Sequence, residues 1–124
     1  MLIRIDFASE EALYMQLYNQ IIYGIANADL RQGDTLPSVR ELAEDIGINM
    51  HTVNKAYAVL RQEGYVRLDR RHGAVIDVNS DKLRALEAFK AEMRISLAKA
   101  LFRGLSEEEI HEATDEVLRQ FQGY

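Results

Sequence analysis

The chain has no cysteine, no tryptophan and a single proline, and it has no surplus of positive charge. Without cysteine there can be neither a disulfide nor a thiolate metal site, and the composition fits a reducing, cytoplasmic setting. No apolar run approaches the roughly 20 residues that a membrane-spanning helix needs, so no membrane association is expected. The start, Met1-Leu2-Ile3-Arg4-Ile5-Asp6, lacks the basic segment and apolar stretch of a secretion signal. A length of 124 residues suffices for one core, or for a small domain with an appended helical element, and leaves no room for a separate enzyme domain.

A formal net charge of -5 speaks against a phosphate-rich partner if it is averaged over the chain. Its distribution is uneven. Residues 1–30 carry one basic residue against four acids and residues 80–124 seven against nine, whereas residues 31–76 carry seven against six, with His51 and His72 besides. An excess of one is small, so a nucleic-acid partner requires geometry as well as charge.

Hydrophobic spacing supplies that geometry. Leu13, Leu17, Ile21 and Ile25, flanked by Tyr14, Tyr18 and Ile22, predict a first helix that Ser9 caps and that ends near Ala28. The Gly33-Asp34 turn and Pro37 disfavour helix up to Leu36 and favour a helix starting at Ser38. The second helix is expected over 38–46, with Val39, Leu42, Ala43 and Ile46 inward and Gly47 ending it. The third follows Asn49 as N-cap, burying Val53, Ala56, Tyr57 and Leu60 before Gly64. From Tyr65 the period becomes alternating, Val66 and Leu68 on one side and Arg67 and Asp69 on the other. After a basic Arg70-Arg71-His72-Gly73 tip, Val75-Ile76 completes a hairpin.

Helical spacing returns with Leu83, Leu86, Phe89, Met93, Leu97 and Leu101, ended by Gly104. Ser106 and Glu109 then form a capping box for a last helix with Ile110, Ala113, Val117, Leu118 and Phe121 on its apolar face. The predicted fold is mainly α with a small β-hairpin wing. Residues 1–79 form a winged helix-turn-helix DNA-binding domain and residues 80–124 a two-helix dimerisation element.

A reading helix must hold the core with one face and expose a polar first turn to the major groove with the other. The third helix meets this condition, since His51, Thr52, Asn54 and Lys55 fall off its apolar face. Arg40 projects from the start of the second helix toward a phosphate, or else pairs with Glu44 one turn on. Arg70, Arg71 and His72 place charge at the wing tip, which would otherwise be an ordinary solvated turn.

The run Leu36-Pro37-Ser38-Val39-Arg40-Glu41-Leu42-Ala43, then Gly47-Ile48-Asn49-Met50-His51-Thr52-Val53-Asn54-Lys55-Ala56-Tyr57, Leu60 and Glu63-Gly64, resembles the DNA-binding domain of the GntR family of bacterial regulators. With the short C-terminal helices, the chain is similar to the YtrA-like subfamily over almost its whole length. The resemblance implies backbone contacts from Ser38 and Arg40 and a groove surface of Asn49, Met50, His51, Thr52 and Asn54. It places His72 and Gly73 at the wing tip. Many relatives have Arg or Pro where this chain has Met50, and methionine cannot grip a guanine with two hydrogen bonds.

Two helices appended to a complete winged domain have no core of their own to fill. Their apolar residues Leu86, Phe89, Met93, Leu97, Leu101, Ile110, Val117 and Phe121 are expected to pair two copies of the chain, the alternative being to fold back on the first helix. Pairing would set two reading helices about one DNA turn apart on a pseudo-palindromic operator. The resemblance also implies repression of a neighbouring, transporter-type operon. An unidentified small-molecule effector is a further expected partner, with the junction of the helices and the winged domain as its place.

His51, His72 and His111 lie on three different elements without ligand spacing, so no metal and no cofactor is expected. No nucleophile and base pair or phosphate loop points to an enzyme. The rival to a DNA reader is an adaptor that keeps the fold without DNA contact, for which Met50 and the acidic balance speak.

Overall fold

The computed structural model describes residues 3–121. The chain divides into two compact units, the first ending at Asn79 and the second beginning at Ser80. In chain order the elements are α1 (Leu13–Ala26), α2 (Val39–Ile46), α3 (Met50–Gln62), β1 (Val66–Asp69), β2 (Gly73–Ile76), α4 (Lys82–Phe102) and α5 (Glu107–Leu118).

In the first unit α3 is the central element, packed against α1, α2 and β1. Its buried side chains Val53, Ala56, Tyr57 and Leu60 recur at helical spacing, as the sequence predicts. Leu17 and Ile21 of α1, Leu42 and Ala43 of α2, and Val66, Ala74 and Ile76 of the hairpin complete the core. Leu17, Ile21, Val53, Leu60 and Ile76 are each fully or almost fully removed from solvent. Burial of a side chain of this size contributes about 1.5 to 3 kcal/mol.

Helix α1 starts later and stops sooner than expected. Ala12, not Ser9, is its N-cap residue, and it makes no side-chain cap. The Ser9 hydroxyl instead accepts from the Glu11 amide at 3.1 Å, closing a local turn ahead of the helix. At the other end Ala28 takes a left-handed conformation (φ 62°), so the helix stops at Ala26 and the Asp29 and Leu30 amides both return to the Gly24 carbonyl.

Gln16 is the buried polar side chain of this unit, and it anchors an N-terminal arm. Its Oε1 accepts from the Asp6 amide and its Nε2 donates to the Asp6 and Glu11 carbonyls. One turn on, Gln20 exchanges the same pair of bonds with the backbone of Arg4. Two amides four residues apart on a helix therefore stand in for an adjacent strand and hold residues 4 and 6 along α1.

The hairpin pairs β1 with β2 antiparallel, Val66 opposite Ile76 and Asp69 opposite Gly73. The expected turn is present at Gln32 and Gly33, and the residues after it run along the free edge of β2, where Thr35 forms an isolated bridge with Val75. Gly33 donates to the Ile76 carbonyl, Ile76 to the Asp34 carbonyl and Leu36 to the Ala74 carbonyl, each at 2.8 Å. This bonding buries β2 on three consecutive residues, whereas β1 buries only Val66 of its first three. Leu68, grouped with Val66 by alternation, is 63% exposed.

The second unit is α4 and α5, joined through Gly104. Asp81 caps α4, and Ser106 caps α5 in a complete capping box with Glu109. The bonds from Ser106 hold the Glu109 carboxyl below its usual range. Neither helix buries a residue fully. Met93, Leu97 and Ile110 are half-buried, while Leu86, Phe89, Leu101 and Val117 are exposed. Phe121 is half-buried but lies beyond the end of α5 at Leu118, in the turn that follows, so it is not on the helix face to which its spacing assigned it.

Candidate nucleic-acid interface

Ser38 begins the site. Its extended backbone and its hydroxyl, which accepts from the Glu41 amide at 3.1 Å, start α2 directly after Pro37. Arg40 follows at the second helical position, exposed, and among the described residues it forms no ion pair with Glu44 or any other acid. Its guanidinium is thus not committed within the chain. The positive end of the α2 dipole lies beside it, with the Glu41 amide already taken by Ser38, a combination suited to a phosphate.

Gly47 makes the turn between the two helices. Its φ of 72° is left-handed, and the Gly47 and Ile48 amides both return to the Ala43 carbonyl. Asn49 then caps α3, its Oδ1 accepting from the His51 amide at 2.7 Å. Because Val53, Ala56, Tyr57 and Leu60 face the core, Met50, His51 and Asn54 are left on the outer side of the first turn. With Val39 of α2 and Asn49 they line one open concavity. Val39 and Met50 are its apolar lining, and Asn49, His51 and Asn54 bring amides and an imidazole to it.

Tyr57 ties the two helices together from behind. Its hydroxyl donates to the Pro37 carbonyl at 2.8 Å, fixing the entry of α2 to the middle of α3. Burial, with the Glu41 carboxylate adding, holds the phenol well above its usual pKa, so it remains a donor at any physiological pH.

Two predicted residues sit differently from the others. Thr52 is half-buried rather than outward. The Lys55 ammonium rests 4.0 Å from the centre of the Tyr14 ring, a cation–π contact that draws it toward α1.

The wing turn, residues 70–72, is organised by Asp69. Its Oδ1 accepts from the Arg71 amide at 2.8 Å, and its Oδ2 lies 3.3 Å from both His72 Nδ1 and Arg67. Led by the Arg71 amide and then by His72, these contacts lower the carboxyl pKa to about 2. Arg67 reaches on to Asp77 at 3.2 Å, so the acids of the hairpin are taken up by Arg67 and His72. The Arg70 and Arg71 side chains form no ion pair among the described residues and stand exposed at the tip with Gly73.

The structure therefore gathers Asn49, Met50, His51 and Asn54 at one concavity, puts Ser38 and Arg40 at the adjoining helix start, and places Arg70, Arg71, His72 and Gly73 on the wing. Sequence reasoning missed Val39 as part of the lining, Tyr57 as the tie and Asp69 as the organiser of the turn. An Asp directly before a basic tip was the available signal for the last.

Residues 13–76 match the family model described as bacterial regulatory proteins, gntR family. The HTH-type transcriptional repressor YtrA of Bacillus subtilis (strain 168) is 32% identical, covering 98% of this chain and 96% of its own length. YtrA from Sulfolobus acidocaldarius, a GntR-family transcription factor of solved structure, is similar with 36% identity and a TM-score of 0.62, over 95% of this chain and 97% of that one. A crystal structure described as a transcriptional antiterminator from Listeria monocytogenes EGD-e superposes with a TM-score of 0.87 at 27% identity, over 100% of this chain and 95% of that one. The uncommitted arginines beside a polar reading turn, and these likenesses along nearly the full chain, lead to one assignment: the chain belongs to the GntR family, is YtrA-like, and is a DNA-binding transcriptional regulator rather than an enzyme.

Proposed function

We propose that the protein is a cytoplasmic homodimeric repressor that reads a pseudo-palindromic operator. The first turn of α3 enters the major groove, with Asn49, His51 and Asn54 at base edges. Ser38, Arg40, Arg70 and Arg71 hold the backbone, and His72 and Gly73 bring the wing tip to the duplex. Thr52 and Lys55 act at the margin of this surface. One observation carries the reading: exposed arginines stand on α2 and on the wing without an ion pair among the described residues, while the hairpin acids Asp69 and Asp77 already have Arg67 as a partner. Those arginines can offer their charge to a partner on an otherwise acidic chain.

The dimer is proposed from the second unit, where Leu86, Phe89, Leu101 and Val117 remain exposed and Met93, Leu97, Ile110 and Phe121 half-exposed. Covering them with a second copy would remove a large apolar surface from water and fix the spacing of two reading helices. Repression is supported by the name of the Bacillus relative, and control of a neighbouring transporter operon by the family resemblance alone.

Sedimentation of the protein with and without duplex tests this reading. A two-to-one complex whose affinity falls steeply with salt is expected. A monomer that binds no duplex at low salt contradicts it.

A further inference from the structure

Met50 is an exposed apolar residue at a place where exposure has no structural use. It is 46% exposed at the first position of α3. The other large hydrophobic side chains exposed in the first unit, among the described residues, are Phe7, Tyr23 and Leu68, and none of these lies on α2 or α3. The core beneath α3 is filled by Val53, Ala56, Tyr57 and Leu60, so Met50 is not needed to complete it. The first helical position also makes no demand for a thioether, since the cap is supplied by Asn49.

The surroundings state what would suit it. Met50 and half-buried Val39 form the apolar lining of the concavity, and Asn54 stands one helical turn from Met50 on the same side of α3. An apolar surface next to a carboxamide matches one base pair better than any other in the major groove. Thymine carries the only methyl group there, and adenine presents the N7 acceptor and N6 donor that an asparagine amide satisfies with two hydrogen bonds. Against the Met50 and Val39 side chains, guanine would set two acceptors and cytosine an amino donor, and neither finds there the apolar match that a thymine methyl finds.

We infer that Met50 is a specificity-determining residue that packs on a thymine 5-methyl group, with Asn54 reading adenine of the same or the neighbouring pair. The inference rests on α3 being the reading helix. It replaces the polar base grip that Met50 cannot make by an apolar one, and it makes each half-site A·T-rich under the first turn of α3.

The test uses the full chain and an operator duplex selected from a random pool. Each thymine is replaced in turn by deoxyuridine, which removes the methyl group and leaves base pairing unchanged. One position per half-site is expected to lose affinity by roughly threefold to fivefold for the wild-type protein, the effect of one methyl group's worth of apolar contact. Met50→Ala is expected to bind thymine and deoxyuridine equally at that position, Met50→Leu to keep the preference and the near-isosteric Met50→Gln to lose it. Circular dichroism of each variant separates loss of fold from loss of contact. An operator bound tightly yet indifferent to deoxyuridine at every position overturns the role of Met50 while leaving DNA reading intact, as does the same methyl preference in Met50→Ala. Failure to select any duplex overturns both.

Discussion

The Tyr57 hydroxyl lies 2.8 Å from the Pro37 carbonyl and donates to it across twenty residues of chain. The bond joins the buried side of α3 to the residue that precedes Ser38, so the starts of α2 and α3 are set by one contact behind them. Replacing Tyr57 by Phe should lower stability by about 1 kcal/mol. The alkaline limb of stability gives the sign. The phenol is held above its usual pKa when folded, so its contribution is full below pH 10.0 and is lost as pH rises beyond it, where the unfolded chain ionises first. Urea unfolding from pH 9 to pH 11 should show a steeper decline for wild type than for Tyr57→Phe.

Two left-handed positions predict opposite effects of exchanging glycine and alanine. A Cβ at Gly47 would meet nothing within 4 Å, so Gly47→Ala suffers only the backbone penalty of φ 72°, about 1 kcal/mol. Ala28 already bears that penalty at φ 62°, and Ala28→Gly should stabilise by about 0.5 kcal/mol after the entropy of the unfolded chain is subtracted. Thermal unfolding of the two variants measures both.

The caps Gly47 and Asn49 and the pair Ser106 and Glu109 were legible because each acts within three or four residues of itself, and the period of Val53, Ala56, Tyr57 and Leu60 was legible for the same reason, whereas Ser38, expected as the first helical residue, is the cap before it. Contacts between distant segments were not. The bridge of Thr35 with Val75 spans the whole helix-turn-helix, and nothing in Gly33-Asp34-Thr35-Leu36 distinguishes a turn from a turn whose exit lies along a sheet edge. Ser9 makes the bond of a cap to the Glu11 amide, but the backbone does not become helical until Leu13, so it closes a turn instead. Gln16 and Gln20 bind an arm ten and sixteen residues away, which no local pattern announces. Lys55 read as groove-facing because Tyr14, which attracts it, belongs to another helix.

Arg40→Ala, Arg70→Ala and Arg71→Ala should weaken binding to operator and to unrelated duplex alike. Each should reduce the slope of log K against log salt by about 0.9 if it removes one phosphate contact. Fluorescence anisotropy over a range of potassium chloride reports the slope. Unchanged slopes in all three would place these arginines away from the backbone.

Asp69→Ala should release the Arg71 amide and His72 together and loosen the wing turn, lowering operator affinity several-fold with little change in the melting temperature. The carboxyl pKa is lowered to about 2, so its support of the turn is full above pH 3.8 and disappears as pH falls through about 2. Amide exchange at Arg71, followed by NMR at pH 6, should accelerate in the variant.

Phe89→Glu should convert the proposed dimer to monomer, because a carboxylate would be buried without a partner at the interface. Analytical ultracentrifugation checks this. Far-ultraviolet circular dichroism should remain that of wild type, since Phe89 is 57% exposed and supports no core.

Selection of bound sequences from a random duplex pool tests the central claim most directly. The account predicts enrichment of a two-fold palindrome whose half-sites are centred about one helical turn apart, or a multiple of it, with binding that weakens steeply as salt rises. Recovery of no enriched sequence, with weak binding indifferent to salt, would contradict it.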